Sequence, residues 1–472
     1  MKFGEWLPDR DPLDNPGIVE CKNLVPDTYY RPMRELTPLG TAMTEACLGA
    51  FSGKDDSGAS FNFAGTADKM YQLDGSDWTQ INTSFATSAE NRWHFDRFGD
   101  LIIATNRDDA IQKFDLGSDS AFSTLSGSPP KAKHIGVVRD FLVLSNLDTG
   151  ANIVKWSGIN DATEWTTGVG ESDSQVIPEG GPIKGFQGGE YGLVFQENQI
   201  VRMDYQGPPY GFSFEKIEDN IGTIAAGSVI KRGIYTYFLD QNGFYVTDGS
   251  HAKPIGGTKI DKYFFQKLDQ QFLYKISSTI DPINKVVIWA YVGIDSLDEQ
   301  PNWLIMFNWE TGRWSEAEAS LETLFNSLST GVTLDDLDAL YADLDSIDVS
   351  LDSRLFQGGS LILAAVDTNH KLAAFTGDIL EAVIKTGFVE INPMRFTLLQ
   401  EVWPEIDGTI QVQAHTMFNY QAAVVSSGYI DVNSIGFAPF LENARLHQLE
   451  FKFTPATKAS GFKLKAVAKG GY

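Results

Sequence analysis

The side chains that could bind a metal are scattered along this chain of 472 residues. A metal site needs His, Cys, Asp or Glu at short, regular spacings. The six histidines have no such spacing, and they are His94, His134, His251, His370, His415 and His447. Cys21 and Cys47 lie near the N-terminus and predict free thiols in a reducing compartment, not a disulfide framework. The sequence therefore predicts no metal ligand and no cofactor-binding residue.

Carboxylates near the ends of apolar runs raise a second hypothesis, a glycosidase that works with paired acids. The candidates are Asp96, Asp140, Asp240 and Asp281. Such positions are common in an acidic chain, and Asp is a frequent turn residue. The tripeptide DGS, at 74–76 and 248–250, is similar to part of the sialidase Asp-box but lacks its upstream Ser-x-Asp. We therefore predict no catalytic residue and no enzyme, with a glycan-binding or glycan-cleaving propeller as the alternative.

The elements that would position these side chains repeat along the chain. Seven times, a short apolar strand runs into a polar Gly turn that usually leads to an aromatic residue, as in YQLDGSDW at 71–78. The turn glycines are Gly75, Gly117, Gly158, Gly207, Gly249, Gly312 and Gly377. The steps between them are 42, 41, 49, 42, 63 and 65 residues. A period near 42 is typical of a four-stranded blade, so the sequence predicts an all-β fold with a propeller of six or seven blades.

Aromatic residues and apolar runs beside the turns have a structural interpretation. We predict that the runs upstream of the turns are the inner strands of the blades. They are LIIAT (101–105), FLVLS (141–145), GLVFQ (192–196), IYTYFL (234–239) and KVVIWAYV (285–292). The recurring tryptophans are predicted to pack between blades, not to form sugar platforms. They are Trp78, Trp156, Trp165, Trp309 and Trp314.

The sequence divides into three regions. Residues 1–40 hold six of the 19 prolines together with several aromatics, which predicts an extended arm lying across a surface. The propeller is predicted over 41–377, with inserts at 258–277 and 318–356. Residues 378–472 contain alternating strands and predict a C-terminal antiparallel β-sandwich. We expect the arm and the inserts, which the blades do not need, to make contacts between subunits.

Both inserts have helical patterns. In the first, one helical face would hold Ile260, Phe264, Leu268, Phe272 and Ile276, with Thr258 and Asp261 capping its start. In the second, TLDDLDALYADLD (333–345) predicts an acidic helix with Thr333 as N-cap. An EF-hand calcium-binding loop that starts at Asp343 does not fit the sequence, because Asp348 and Arg354 occupy the positions that require Gly and Glu.

Three strands of the predicted sandwich would turn apolar residues toward one core. These residues are Ile410, Val412 and Ala414, then Leu449, Phe451 and Phe453, then Phe462, Leu464 and Ala466. Lysines gather near the C-terminus, and we predict that they lie on the outer face, where Lys also protects sheet edges. They are Lys452, Lys458, Lys463, Lys465 and Lys469.

The net charge of the chain argues against some classes of binding partner. With 37 basic and 62 acidic side chains, the net charge of −25 argues against a protein that holds DNA through its phosphates. The N-terminal sequence has no apolar signal region, and no apolar run approaches the roughly 18 residues of a membrane span. We expect synthesis in the cytosol and no membrane insertion.

Several stretches resemble the tail nozzle proteins of short-tailed bacteriophages, also called tail hub or packaged-DNA stabilisation proteins. The similar residues are GFYVTDGSHAKPIG and the following helix and strand (243–291), NWETGRW (308–314) and the segment 350–377, with NPMRF (392–396) as weaker support. The resemblance covers about the last half of the chain as a pattern of turns and strands.

The resemblance implies a structural protein of the virion tail. It implies a hexameric ring at the distal end of the tail, joined to an adaptor above and to a tail fibre, tailspike or plug below. DNA would pass through the ring without specific binding, and some of the excess acids, including those at 335–352, would face the lumen.

Overall fold

The computed structural model describes residues 1–55, 57–328 and 361–471. Its N-terminal segment contains a 3-10 turn, Pro12–Asp14, and short strands placed between the prolines. These strands are β1 (Ile18–Lys22), β2 (Leu24–Val25), β3 (Arg31–Pro32) and β4 (Thr37–Ala42). Strands β2 and β3 form a small antiparallel ladder.

Seven four-stranded antiparallel units follow, and each is a blade. Blades 1 to 3 contain β5 (Gly49–Lys54), β6 (Ser60–Gly65), β7 (Lys69–Asp74), β8 (Asp77–Thr83), β9 (His94–Phe98), β10 (Leu101–Thr105), β11 (Gln112–Asp115), β12 (Ser123–Thr124), β13 (Ala132–Val138), β14 (Phe141–Leu147), β15 (Gly150–Trp156) and β16 (Asp173–Val176). Blades 4 and 5 contain β17 (Ile183–Gln187), β18 (Gly192–Gln196), β19 (Gln199–Gly207), β20 (Gly211–Asp219), β21 (Ile230–Arg232), β22 (Tyr235–Asp240), β23 (Gly243–Thr247) and β24 (Ala252–Pro254). Blades 6 and 7 contain β25 (Ser277–Asp281), β26 (Val286–Tyr291), β27 (Trp303–Asn308), β28 (Trp314–Glu318), β29 (Leu321–Leu328), β30 (Leu361–Asp367) and β31 (Lys371–Ala374), with β4 as the outermost strand of blade 7.

The blades close into a ring, so the fold is a β-propeller. Except between blades 4 and 5, the first strand of each blade lies against the first strand of the next, and β29 of blade 7 returns to β5 of blade 1. Between blades 4 and 5 a 3-10 turn, Ala226–Ser228, contributes to the contact. Because β4 supplies the last strand of blade 7, the propeller begins at Thr37 and not at residue 41. The N-terminus thus closes the ring with a strand that comes from before blade 1.

The apolar runs predicted as inner strands are the second strand of each blade. Every residue of β14, β18 and β26 is buried. A second strand has neighbours on both edges and packed blades on both faces, which accounts for a continuous apolar run. The innermost strands are less apolar, because one edge of each faces the propeller axis.

The seven turn glycines mark one position of the blade. Each lies at the end of the third strand or just after it, and the first six lead to the fourth strand of the same blade, whereas Gly377 leads to β32 of the sandwich. Gly75, Gly117 and Gly312 have φ values of 60°, 84° and 67°, which favour glycine. The longer sequence steps arise because a helical insert precedes blade 6 and a long connection joins β29 to β30.

Apolar clusters fill the spaces between blades. Four of the predicted tryptophans are buried in them, namely Trp78, Trp156, Trp165 and Trp314, while Trp309 is half-buried. The ring of Trp156 in blade 3 meets that of Phe212 in blade 4, with centroids 5.2 Å apart. The packing interpretation of these four tryptophans is therefore confirmed.

The first insert is a helix followed by a tighter turn. Helix α1 (Gly257–Lys267) is followed by a 3-10 helix, Gln270–Lys275, because Leu268 adopts an extended backbone. Four of the five predicted apolar positions are buried and Phe272 is half-buried. The predicted cap is wrong: Thr258 lies inside the helix, and the Asp261 carboxylate accepts a hydrogen bond from the Phe244 amide at 3.2 Å. The predicted start of the second insert, residue 318, is too early, because β29 (Leu321–Leu328) is a strand of blade 7. The acidic helix predicted within this insert lies outside the described residues.

Two sheets form the C-terminal sandwich. Its strands are β32 (Ala382–Thr386), β33 (Arg395–Ile406), β34 (Thr409–Met417), β35 (Val425–Asp431), β36 (Ala438–Ala444), β37 (Leu446–Thr454) and β38 (Ala459–Gly471). One sheet has the order β1-β32-β37-β34-β35 and the other β36-β33-β38. Seven of the nine predicted core residues are buried, and Leu464 and Ala466 are half-buried against the same core. Lys463 and Lys465 lie on the outer face, paired with Glu405 and Glu401.

The N-terminal segment is part of the core and is not an arm on a surface. Strand β1 pairs in parallel with β28 of blade 6 and antiparallel with β32, so it joins propeller and sandwich in one nine-stranded sheet. Phe3, Trp6 and Tyr30 are buried in the shared cluster. Proline limits strands only where it stands, and the stretches between these prolines are long enough to pair.

Candidate functional site

Three of the four candidate acids are turn residues. Asp240 accepts hydrogen bonds at 2.9 Å from the backbone amides of Gly222 and Asn242. Asp281 does the same for Ile283, and Asp140 is exposed on the turn between β13 and β14. The structure does not bring these carboxylates together.

The fourth acid, Asp96, lies in blade 2 and accepts a hydrogen bond from blade 3. Its carboxylate accepts hydrogen bonds from the amides of Arg97 at 2.8 Å and Val137 at 2.9 Å. Burial raises the pKa of Asp96 to about 6 despite these hydrogen bonds. The Asp96 carboxylate therefore links strand β9 to strand β13.

The histidines do not converge on a metal site. Within residues 1–55, 57–328 and 361–471, no group of three His, Cys, Asp or Glu side chains is placed to hold an ion. His370 contacts Glu322 at 2.6 Å, and His415 contacts Glu450 at 2.9 Å, each in a separate region. Only His94 and His134 are neighbours, with ring centroids 5.1 Å apart.

Exposed apolar side chains concentrate in the sandwich. Among the described residues, nine of the 21 large hydrophobic side chains that are exposed fall between Met394 and Val467, although this stretch is a small part of the chain. Contiguous exposed apolar surface marks interaction sites more often than scattered residues do. The sandwich therefore carries the candidate functional surface of this protein.

Five of these residues form a surface that we call the hairpin patch, and they are Met394, Phe418, Tyr420, Val424 and Val425. Phe418, Tyr420 and Val424 lie in the loop joining β34 to β35, Val425 begins β35, and Met394 immediately precedes β33. The Phe418 ring packs against Phe396 with centroids 4.4 Å apart. The side chains of Phe418 and Val425 are 57% and 62% exposed, which is unusual for residues of their size.

A half-buried ion pair between Arg445 and Glu390 connects the two sides of the hairpin patch. Glu390 accepts hydrogen bonds from Arg445 Nε at 2.6 Å, from the Tyr420 hydroxyl at 3.0 Å and from the Met394 amide at 3.1 Å. Burial alone would raise the pKa of Glu390, but these hydrogen bonds lower it overall. The ionised carboxylate therefore ties both sides of the patch to one point.

The hairpin patch continues into an unpaired sheet edge. Strand β35 is the last strand of the nine-stranded sheet, and most of its residues are exposed. Among the described residues no strand pairs with its outer edge, and this edge, with Val425 and Tyr429 on it, is the kind that pairs with another chain. A signal that could have indicated this surface is the segment FNYQAAVV (418–425), which holds apolar residues without strand alternation.

The expected contact regions differ from this surface. The apolar side chains of the N-terminal segment and of α1 lie in the core, while polar residues such as Arg10 and Lys262 are exposed. Subunit contacts through these two regions stay a prediction. The rest of the second insert and the acids at 335–352 lie outside the described residues.

Comparison with known proteins gives no family for this chain. No family model and no curated protein matches the chain. Among solved structures, the extracellular domain of a one-component system from B. thetaiotaomicron matches with a TM-score of 0.43 and 10% identity, covering 84% of this chain and 47% of that one. A chain of the mitotic checkpoint complex matches with a TM-score of 0.39 and 9% identity, covering 78% of this chain and 96% of that one.

The chain thus spans about half the length of the first of these proteins. Among the described residues, none of the helices is long and apolar enough to cross a membrane.

Proposed function

We propose that this protein is a structural component of a short phage tail, forming a ring-shaped nozzle through which DNA leaves the virion. Six copies would form the ring. An adaptor would bind above it, and a tail fibre, tailspike or plug below it. The observation that carries the proposal is the hairpin patch beside the unpaired edge of β35, a surface suited to a second copy of this chain. The propeller and sandwich would then act as scaffolds.

The net charge supports the conduit. Six copies at −25 each would carry about −150, which repels DNA from the wall of a lumen. Phosphate backbones bind proteins through Lys and Arg, and an acidic channel lets them slide. DNA would therefore pass without specific binding.

Charge placed in the hairpin patch tests the assembly. We expect Val425→Lys and Phe418→Glu to leave the fold intact, since substitutions on an exposed surface change stability by roughly 0.5 kcal/mol or less. The ring measured by mass photometry should be lost, because a buried charge at an interface has no partner. Leu297→Glu is the matched control, because Leu297 is 101% exposed on a propeller loop.

The proposal is wrong if both patch variants assemble like the wild type, or if Leu297→Glu abolishes the ring equally. A glycan-array signal that monomeric patch variants retain would favour the alternative, a glycan-binding propeller.

A further inference from the structure

A cavity of about 610 Å³ lies on the propeller axis. Residues from all seven blades line it, most of them in the innermost strands or the loops before them, with Arg107 and Asn146 near the ends of second strands. Its volume falls in the range of roughly 300–1,000 Å³ that suits small-molecule ligands. Aromatic and apolar walls, including Phe51, Ile230, Leu273 and Tyr274, would cover the body of an organic molecule.

The charge of the cavity is opposite to that of the protein. Arg92, Arg107, Lys133 and Lys184 line it, against one lining carboxylate, the exposed Glu90. This concentration of cations stands out in a chain with a net charge of −25. A cleft lined by one sign of charge focuses the field and attracts ions of the opposite sign.

Three of these cations have no ion pair among the residues that the structure describes, namely Arg107, Lys133 and Lys184. Asp108 is close, but its carboxylate is occupied by the Ser88 amide and the Asn91 side chain, both at 2.9 Å. Burial, followed by the charges of Arg107 and Lys184, lowers the pKa of Lys133. The cations therefore repel one another, and an anion between them would relieve that repulsion.

Two buried polar atoms in the cavity wall are unsatisfied. His134 and Asn146 are 2% and 6% exposed, and within the described ranges His134 Nε2 and Asn146 Oδ1 have no hydrogen-bond partner. Both side chains line the cavity next to Lys133 and Lys184. Burying such atoms without a partner costs free energy, so each indicates a group that would complete it.

We propose that the axial cavity binds a small organic phosphate of about the size of a hexose phosphate. A phosphate carries close to two negative charges, which match several cations better than one carboxylate does. The Arg107 guanidinium and the two lysines would hold the phosphate oxygens. His134 and Asn146 would hydrogen-bond to hydroxyl groups, and the apolar walls would cover the ring. This binding does not depend on ring assembly.

Calorimetric titration of the purified chain tests the site, with a hexose phosphate, the matching hexose and inorganic phosphate as probes. We expect saturable binding of the hexose phosphate and much weaker binding of the other two. Lys133→Gln with Lys184→Gln should weaken binding roughly tenfold or more, the value of lost charge-assisted hydrogen bonds. Lys253→Gln is the control, since Lys253 is exposed on the outer strand of blade 5.

A melting curve separates a binding role from a structural one. Removing two cations from a repelling cluster should not lower Tm in the absence of ligand, whereas the Tm increase caused by the hexose phosphate should disappear. If the double variant does not fold, Lys184→Gln alone carries the test.

The proposal is overturned by three results: no saturable binding up to about 10 mM, equal binding of the uncharged hexose, or equal loss in Lys253→Gln. A phosphorylated oligosaccharide serves as a further probe. If it binds as tightly as the monosaccharide, the natural ligand is the end of a glycan, and if only the monosaccharide binds, it is a free sugar phosphate.

Discussion

The propeller and the sandwich both bury β-sheets, but the propeller pairs strands that are close in sequence, whereas the sandwich pairs strands that are far apart in sequence. Each of the first six blades is built from one continuous stretch, so its strands are neighbours along the chain. The sandwich combines β1 from the N-terminus with strands after Ala382, and its larger sheet continues into blade 6. Local pairing makes the propeller readable as a repeat. The sandwich depends on pairing between distant strands, and such pairing leaves no periodic pattern in the sequence.

The strongest test of the propeller side is loss of a buried aromatic between blades 5 and 6. Trp314 is 1% exposed, and its ring lies 5.2 Å from that of Phe244 and 4.8 Å from that of Phe307. We expect Trp314→Ala to lower the free energy of unfolding by about 3–5 kcal/mol, measured by denaturant titration.

Trp309 provides the internal control for that substitution. It is half-buried and stacks under the guanidinium of Arg232 at 4.0 Å. Trp309→Ala should cost about 1 kcal/mol, mainly a surface cation–π contact. Equal losses in the two variants would mean that packing between blades does not dominate stability.

The sandwich side of the comparison is tested at Phe3. Its ring is buried and lies 5.3 Å from that of Phe451 and 5.7 Å from that of Phe462. We expect Phe3→Ala to cost about 3 kcal/mol, as for a core phenylalanine. A surface arm would lose less than roughly 0.5 kcal/mol. The substitution Tyr29→Ala, at an exposed position of the same segment, is the control.

These two regions also explain what the sequence could predict. The blade period was readable because Gly75, Gly117 and Gly312 occupy left-handed turns, a requirement of the local backbone. The role of the N-terminal segment was not readable, since Lys22 pairs with Glu316 and Cys21 with Ile384, each hundreds of residues away. The prolines of the N-terminal segment are visible in the sequence, but the strands that pair with this segment are identified only by the tertiary structure.

For the sandwich and its hairpin patch, too, local patterns could be predicted from the sequence and features that depend on the tertiary structure could not. The sandwich faces were predicted correctly from alternation along β34 and β37. The hairpin patch was missed because exposure is a property of the folded chain: Phe418 and Val425 would be core residues under a hydropathy pattern alone. The cations of the axial cavity come from three blades and share no motif.

A pH-dependent effect concerns the contact between the two regions, where α1 meets Asp9 of the N-terminal segment. Asp9 accepts hydrogen bonds from the amides of Lys262 and Tyr263 at 2.9 and 2.6 Å. Burial, with a contribution from Asp9, raises the pKa of Asp261 from 3.8 to about 7. The folded state then binds more protons than the unfolded chain between pH 3.8 and 7, so the free energy of unfolding falls as the pH rises across that window.

Asp261→Asn should flatten this dependence, by at most about 1.4 kcal/mol per pH unit. Chemical denaturation at several pH values measures the slope, with Asp140→Asn on an exposed turn as the control. An unchanged slope in Asp261→Asn would show that other groups set the pH dependence of this contact.

Electron microscopy of particles that contain this chain tests the proposed nozzle most directly. We expect a closed ring of six copies at the end of the tail, with the hairpin patch and strand β35 of each copy against its neighbour. The blades should lie away from these contacts and keep their axial cavities open. The account is contradicted if the chain is monomeric or absent from the tail, or if the ring forms through the blades while the hairpin patch faces solvent.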